Sequence, residues 1–253
     1  MSVTLEVTVA GLAVWNPAVA TRPQPAILPP NERRRAPDTV AIALEVGQAA
    51  CVNAGRDAAQ LPTIFASTYG DLAITDYMCG TLARAPTTLS PTRFHNSVHN
   101  AAAGYWSIAT GCRQPYCALG AGRYTFAAGL FAAALQVCAD QTDVLLVAYD
   151  IEASGPLAQV AHSRGMLGAA LVLSMASGSG GAGLRLAVTA KERADGAWLA
   201  AADGVTESGA AAGSANAMAA CLPLIAALER KADDVLSLPL GPQSTLEVRV
   251  RHG

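Results

Sequence analysis

Apolar and polar positions recur with two different spacings along the chain, and the spacing predicts which segments are strands and which are helices. Residues 3–10 alternate apolar with polar side chains, which predicts a first strand that ends in a turn at Gly11. Apolar positions three and four residues apart predict helices over residues 39–55, 71–84, 101–111, 123–139 and 209–232. Short, largely apolar runs predict further strands over residues 62–70, 114–120, 142–150, 168–176, 183–190 and 244–250. Because helices alternate with strands, we expect an α/β fold in which layers of helices cover a mixed, mostly parallel sheet.

The segments between these elements contain residues that commonly interrupt regular structure. Residues 16–35 are rich in proline and residues 85–100 mix proline with polar side chains, so both segments are predicted to be loops. The glycine-rich residues 178–183 are predicted to be the turn of a hairpin between two strands. Asp38 is expected to cap the first long helix and Gly55 to end it. Since no fixed repeat and no long linker interrupts this order, the whole chain of 253 residues is predicted to be a single domain.

The composition narrows the classes of function. Hydrophobic residues make up 52% of the chain and charged residues only 14%, so we expect part of the apolar surface to meet a partner. The net charge of −2 and the lack of a basic stripe argue against a nucleic-acid-binding protein. The six cysteines include no C-x-x-C pair, which argues against a zinc site and favours reduced thiols in a cytoplasmic protein.

The sequence also shows no targeting or membrane-spanning segment. The first residues carry Glu6 and lack a basic start, so they are predicted to form a strand rather than a signal peptide. The most apolar run, residues 126–137, is too short to span a bilayer. We therefore expect a protein without a membrane span.

A tight glycine turn stands between a predicted strand and the long alanine-rich helix. In one large enzyme class such a turn holds a nucleophilic cysteine at the helix N-terminus, where the helix dipole and free N–H groups lower the thiol pKa. Here the turn consists of Gly120, Ala121 and Gly122, and no cysteine, serine or threonine lies between Gly120 and Arg123. We expect a turn of that shape without a nucleophile.

Four sequence blocks in a specific order resemble a known family. They are residues 94–111 (FHNSVHNAAAGYWSIATG), 114–122 (QPYCALGAG), 143–155 (DVLLVAYDIEASG) and 164–174 (RGMLGAALVLS). Together they resemble the first half of a β-ketoacyl synthase. The resemblance is strongest to shortened ketosynthase-like chain-length factors, which are encoded beside aryl-polyene and fatty-acid-like polyketide genes. The resemblance covers nearly all of residues 1–176.

The resemblance implies a fold, a partner and a set of interface residues. The fold would be thiolase-like, essentially the N-terminal half of a ketosynthase, and subunits would pair through the strand before the glycine turn. The partner would be a full-length ketosynthase or a second copy of this chain, with an acyl carrier protein bound through the complex, and no cofactor is implied. The loop 89–99 would help to close the partner's acyl tunnel. The residues expected at the tunnel or the interface are Phe94, His95, Val98, His99, Asn100, Tyr116 and Cys117.

Two departures from the family imply that this chain has no activity alone. The glycine turn lacks the cysteine of the family's Thr-Ala-Cys turn. The two histidines that promote decarboxylation belong to the second half of a ketosynthase, and we expect both motifs to be missing here. The chain would then act as a chain-length factor in fatty-acid or polyene biosynthesis, as a subunit of a 3-oxoacyl-carrier-protein synthase.

Other interpretations of the same residues stay open. A stand-alone acyl-transfer or hydrolytic enzyme could use Cys117 with His99 or a serine, although we interpret Cys117 as a small buried side chain. His95 and His99 lie four residues apart, but in a predicted loop without a third ligand motif, so no metal is expected. Asp150 and Glu152 end a buried strand and are interpreted as structural caps rather than an acid–base pair.

Overall fold

Eight strands form one mixed sheet in the computed structural model, which describes residues 4–15, 22–161, 163–176, 184–192 and 216–252. The strands are β1 (Thr4–Val14), β2 (Thr63–Ala66), β3 (Tyr116–Leu119), β4 (Val144–Asp150), β5 (Leu167–Met175), β6 (Leu184–Glu192), β7 (Asp234–Gly241) and β8 (Ser244–His252). The helices are α1 (Pro30–Arg35), α2 (Asp38–Ala54), α3 (Leu72–Arg84), α4 (Pro91–Asn96), α5 (Ala101–Thr110), α6 (Thr125–Asp140) and α7 (Leu222–Arg230).

The strand order is β3-β2-β4-β5-β1-β6-β8-β7. Only β2 with β3 and β2 with β4 are parallel, and the other five neighbouring pairs are antiparallel. The expected α/β class is confirmed, but the expected mostly parallel sheet is wrong. Parallel neighbours need a crossover, usually a helix, whereas β4 reaches β5 through residues 151–166, in which the described regular element is the 3₁₀ turn Gly155–Gln159, and β7 reaches β8 through a tight turn.

The predicted hairpin between β5 and β6 is also wrong, because β1 lies between these two strands and pairs with both. Its predicted turn, residues 178–183, lies outside the described residues. The first strand does not end at Gly11 but continues to Val14 after a register shift between Val9 and Gly11. A Cβ at Gly11 would stand 2.4 Å from the carbonyl oxygen of Ala50, so glycine lets α2 approach the strand there.

Helices cover both faces of the sheet. On one face α2 and α5 enclose a core that contains Ile42, Phe65 and Trp106. On the other face α6 and α7 pack over β4 and β8, with Leu130 and Leu224 fully buried. Helix α6 contacts β2 and β4 and also β7 at the far end of the strand order, so the sheet curves around this helix. The described residues after β5 thus add β6, β7 and β8 to one continuous sheet and α7 to the layer that covers it.

Several helix boundaries differ from the sequence predictions. Helix α2 begins at Asp38 without a side-chain cap and ends at Gly55, whose φ of 63° is the left-handed conformation expected there. The predicted loops contain two short helices, α1 and α4, and the prediction missed β7. The expected helix over 209–232 is described only from 216 onward and includes α7. In the described part of the chain, no helix is both long and apolar enough to cross a membrane.

Candidate functional site

The glycine turn joins β3 to α6 through one turn of 3₁₀ helix, Gly122–Tyr124. Gly122 has a φ of 56°, a left-handed conformation in which a side chain would be strained. The buried hydroxyl of Thr125 donates to the Gly122 carbonyl at 2.7 Å and accepts from the Ala121 N–H at 2.9 Å. This hydroxyl holds the turn by one donated and one accepted bond and is shielded from solvent, so Thr125 supplies shape rather than an accessible nucleophile.

The imidazole of His99 lies between the glycine turn and the end of β2. Its Nε2 donates to the carbonyl oxygen of Ser67 at 2.9 Å. A Cβ at Gly120 would stand 3.0 Å from that carbonyl oxygen and 3.2 Å from Nε2, and a Cβ at Gly70 would stand 3.6 Å from Cδ2 of the ring. The ring is therefore enclosed by two glycine positions from separate segments.

Asp150, the last residue of β4, holds the turn that follows β2. Its buried carboxylate accepts hydrogen bonds from the Ser67 hydroxyl at 2.8 Å and from the N–H groups of Thr68 at 2.9 Å and Tyr69 at 3.2 Å. Burial raises the pKa of Asp150, and the hydrogen bonds from Thr68, Ser67 and Tyr69 oppose this rise. The Ser67 hydroxyl also accepts from the Gly70 N–H, and the residue is fully buried, so a substrate cannot reach this hydroxyl.

Glu152 has a different partner from Asp150, since its carboxylate accepts from the Gly165 N–H at 3.3 Å. The two acids are thus engaged with separate backbone segments. Sequence reasoning missed Asn216, whose buried amide donates at 3.2 Å to the carbonyls of Asp150, Arg164 and Gly165. A lone asparagine in an alanine-rich segment was the available signal, because a buried amide needs partners.

Among the described strands, β3 is one edge of the sheet, and no described residue pairs with its outer side. The carbonyls of Pro115 and Leu119 accept from β2, so by the alternation of a strand the backbone groups of Tyr116 and Ala118 point away from the sheet. Tyr116 is 45% exposed, and its hydroxyl accepts from the Asn100 side chain at 3.1 Å. Cys117 is exposed rather than buried, which corrects the sequence interpretation. The reason is that β3 has a neighbour on one side only.

The segment predicted to reach a partner contains a helix. Ser90 accepts from the Arg93 N–H at the start of α4, which places Phe94 on the outer surface with 57% of its area exposed. Val98 is 48% exposed, whereas the ring of His95 lies 6.2 Å from that of Tyr105. His95 and His99 therefore have different surroundings. Within the described residues, no three His, Cys, Asp or Glu side chains form a group that could hold a metal ion.

One exposed apolar side chain beside this edge was not predicted. Ile108 lies on the outer face of α5, opposite the buried Trp106, and is 83% exposed. Helix α5 contacts β3, which carries the exposed Tyr116.

Comparison with known families extends the sequence resemblance. Residues 12–236 match the family described as "Beta-ketoacyl synthase, N-terminal domain". The match runs well beyond the residues 1–176 that carry the resemblance and includes α7. No curated protein matches the chain.

Several solved structures share the fold. One is a chain from a ketosynthase in complex with its chain length factor from Xenorhabdus doucetiae, with a TM-score of 0.67 and 19% identity over 98% of this chain and 97% of that one. A second is from the ishigamide ketosynthase/chain length factor, with a TM-score of 0.68 and 16% identity over 98% and 99% of the two chains. A third is from a complex of a type II polyketide acyl-carrier protein with its ketosynthase, with a TM-score of 0.54 and 13% identity over 69% and 64%. These similarities show a thiolase-like ketosynthase fold.

Proposed function

Because this chain belongs to the family of β-ketoacyl synthase N-terminal domains, we propose that it is a non-catalytic partner subunit of a ketosynthase, a chain-length factor. The observation that carries the proposal is the glycine turn. It has the position of a nucleophile turn, between an edge strand and the N-terminus of a long helix, but it presents no nucleophilic side chain from Gly120 to Arg123. A thiol there would be activated by the helix N-terminus, and its absence leaves the fold without the covalent step.

The open edge of β3 supports pairing with another subunit. Tyr116 and Ala118 present backbone groups that no described strand pairs with, and the Tyr116 side chain is exposed there. An unpaired edge strand is a template for a strand from another chain. We propose that the partner is a full-length ketosynthase, with a second copy of this chain as the other candidate. A stable pair of either kind should bury on the order of 1,600 Å².

The exposed side chains of the segment before α5 support a role in setting product length. Phe94 and Val98 are about half exposed although both are apolar, which favours contact with a partner over contact with solvent. We propose that they help to close the acyl tunnel of the ketosynthase, so that their bulk limits the length of the chain that fits. His95, His99 and Asn100 would then hold this segment rather than line the tunnel.

The alternative of a stand-alone acyl-transfer or hydrolytic enzyme receives less support from the geometry. His99 is bonded to a backbone carbonyl, which leaves its Nε2 without a thiol or hydroxyl to deprotonate. Ser67 donates to the Asp150 carboxylate, but the residue is fully buried, so a substrate cannot reach its hydroxyl. Cys117 is exposed at the edge where the proposed partner binds. An activated nucleophile needs a base within hydrogen-bond reach and also access to the substrate, and Ser67 has the base without the access.

We further propose that the complex receives acyl groups from an acyl carrier protein in fatty-acid or polyene biosynthesis. The support is the likeness to chains from ketosynthase/chain length factor complexes and to one from a complex with an acyl-carrier protein. The cytoplasmic location expected from the cysteine pattern remains a prediction.

The test is co-expression with a full-length ketosynthase of the same organism. We expect the two chains to co-purify as a heterodimer by size-exclusion chromatography and light scattering. The pair should extend acyl groups on a carrier protein, and the ketosynthase alone should lose activity or product-length control. Failure of the two chains to associate, or identical products with and without this chain, would reject the proposal.

A further inference from the structure

Two segments that are distant from His99 in sequence meet at its side chain. The first is the turn after β2, which supplies the Ser67 carbonyl that accepts from Nε2 at 2.9 Å. A Cβ at Gly70 of the same turn would lie 3.6 Å from the ring. The second is the glycine turn, where a Cβ at Gly120 would lie 3.2 Å from Nε2. The imidazole thus keeps the two turns apart by its volume and ties one of them by its hydrogen bond.

The turn after β2 is rigid on its other side. The carboxylate of Asp150 accepts from Ser67, Thr68 and Tyr69, and the Ser67 hydroxyl accepts from the Gly70 N–H. The Ser67 carbonyl is therefore held in a fixed place by the core of the sheet. A side chain that binds this carbonyl takes its position from the core and not from the surface loop that carries it.

The residue after His99 connects this fixed position to the edge of the sheet by a hydrogen bond. Asn100 follows His99 directly, and its side-chain amide donates to the Tyr116 hydroxyl at 3.1 Å. Tyr116 is the first residue of β3 and has outward-pointing backbone groups. Val98, the residue before His99, is half exposed on the same segment. The contacts therefore run without interruption from the buried Asp150, through Ser67 and His99, to the open edge.

We infer that His99 is a positioning residue: it sets the relative positions of the turn after β2, the glycine turn and the β3 edge, and so presents this edge for pairing. The statement about pairing rests on the proposed function, whereas the statement about the two turns concerns this chain alone. The hydrogen bond and the packed ring of His99 already order this loop in the folded chain. The loop therefore loses little further conformational entropy when a partner binds.

The first experiment compares His99→Gln with His99→Met in the isolated full-length chain. The two side chains have the same length and similar volume, but only glutamine keeps an N–H donor for the Ser67 carbonyl. Amide hydrogen exchange is followed at Gly70 and Ala121, whose N–H groups are bonded within the two turns. We expect exchange at both amides to become about fivefold to tenfold faster with methionine, and to stay within about twofold of the natural protein with glutamine.

Matched controls distinguish positioning from general loosening. Amides in the middle of β4 should exchange as in the natural protein in both variants, since the core is untouched. His95→Met, a change in the same segment four residues earlier, should leave Gly70 and Ala121 unaffected because His95 contacts Tyr105 instead. Unchanged exchange at Gly70 and Ala121 in His99→Met, or equal effects of His95→Met, would overturn the inference.

The second experiment measures pairing with the ketosynthase by titration at constant pH. We expect His99→Met to raise the dissociation constant about tenfold and His99→Gln to change it less than twofold. Faster exchange combined with unchanged affinity would overturn the role in presenting the edge. If the natural chain binds no ketosynthase and no second copy, the proposed function fails, and the exchange result still decides whether His99 positions the two turns.

Discussion

At the scale of single residues, the polar side chains around the glycine turn hold backbone groups in place. Asp150, Ser67 and Thr125 are buried, and each has its polar atoms bonded to main-chain groups or to one another. Burial of a carboxylate is costly unless it accepts several hydrogen bonds, and Asp150 accepts from three residues of one turn. Because burial and these hydrogen bonds act on the charged form of Asp150, the free energy of unfolding should depend on pH in a measurable way.

We predict that the stability contributed by Asp150 falls as the pH rises. The folded-state pKa is raised above its ordinary value of 3.8, so the folded protein holds the proton more tightly than the unfolded chain. The contribution is complete below that ordinary value and is lost as the pH rises through the raised pKa. In urea unfolding from pH 4 upward, the free energy of unfolding of the natural protein minus that of Asp150→Asn should therefore decrease. A difference that is constant or increases with pH would contradict this.

A second residue-scale prediction concerns Phe94, which is 57% exposed on α4. If it closes the partner's tunnel, Phe94→Ala should open space for several methylenes, each worth about 0.8 kcal/mol of apolar contact. Products of the reconstituted pair should become longer while the turnover rate changes little, as measured by mass spectrometry of the released acyl groups. Leu82→Ala, a truncation of another half-exposed side chain on α3, serves as the control and should leave the product lengths unchanged.

At the scale of elements, the edge strand β3 is the proposed site of association. It pairs with β2 through the backbone groups of alternate residues, so Ala118 presents its N–H outward. Proline at this position removes only an outward donor, and edge strands tolerate proline for this reason. The strand can thus be blocked without breaking the sheet.

We predict that Ala118→Pro abolishes pairing and leaves the chain folded. The free energy of unfolding should change by about 1 kcal/mol or less, because no bond to β2 is lost. Sedimentation or light scattering should show a monomer that no longer binds the ketosynthase. Ala118→Ser keeps the N–H and should pair as the natural protein does. Full pairing by the proline variant would exclude β3 as the interface.

The packing of α2 on β1 provides another element-scale prediction. A Cβ at Gly11 would lie 2.4 Å from the Ala50 carbonyl oxygen and 2.7 Å from the backbone nitrogen of Ala54, atoms that cannot move without shifting the helix. Gly11→Ala should therefore destabilise the protein by about 1–3 kcal/mol in chemical unfolding. Gly104→Ala is the matched control, since its Cβ would meet no atom within 4 Å and a helical alanine should stabilise by about 0.5–1 kcal/mol. Equal stability of the two variants would contradict the packing argument.

At the scale of the whole molecule, a ketosynthase fold is combined with a turn that lacks a nucleophile. We predict that no covalent acyl intermediate forms on this chain. Incubation with malonyl- and acyl-carrier protein followed by intact-mass spectrometry should show no adduct on this chain, whereas the partner ketosynthase in the same sample should carry one. A stoichiometric acyl adduct on this chain would contradict the non-catalytic assignment.

The sequence by itself determined the long helices, the buried strands and the absence of a nucleophile in the glycine turn, but not β7 or the short helices α1 and α4. Helices α2, α5 and α6 and the buried strand β4 were predictable, because the spacing of apolar side chains is a property of a short segment. Gly55 was predictable as a helix end for the same local reason, since its left-handed conformation suits glycine. The family resemblance also rested on the order of sequence blocks along the chain, so it could be found without the fold.

Only the tertiary structure decided which strands and side chains are neighbours in space. The place of β1 between β5 and β6 made the sheet mostly antiparallel, and the place of β3 at the edge exposed Cys117, because strand pairing joins segments far apart in sequence. The position of His99 between Gly70 and Gly120 depends on three such segments at once. Spacing along a chain specifies how a segment folds on itself, whereas distances of a few ångströms between remote segments are set by the packing of the core.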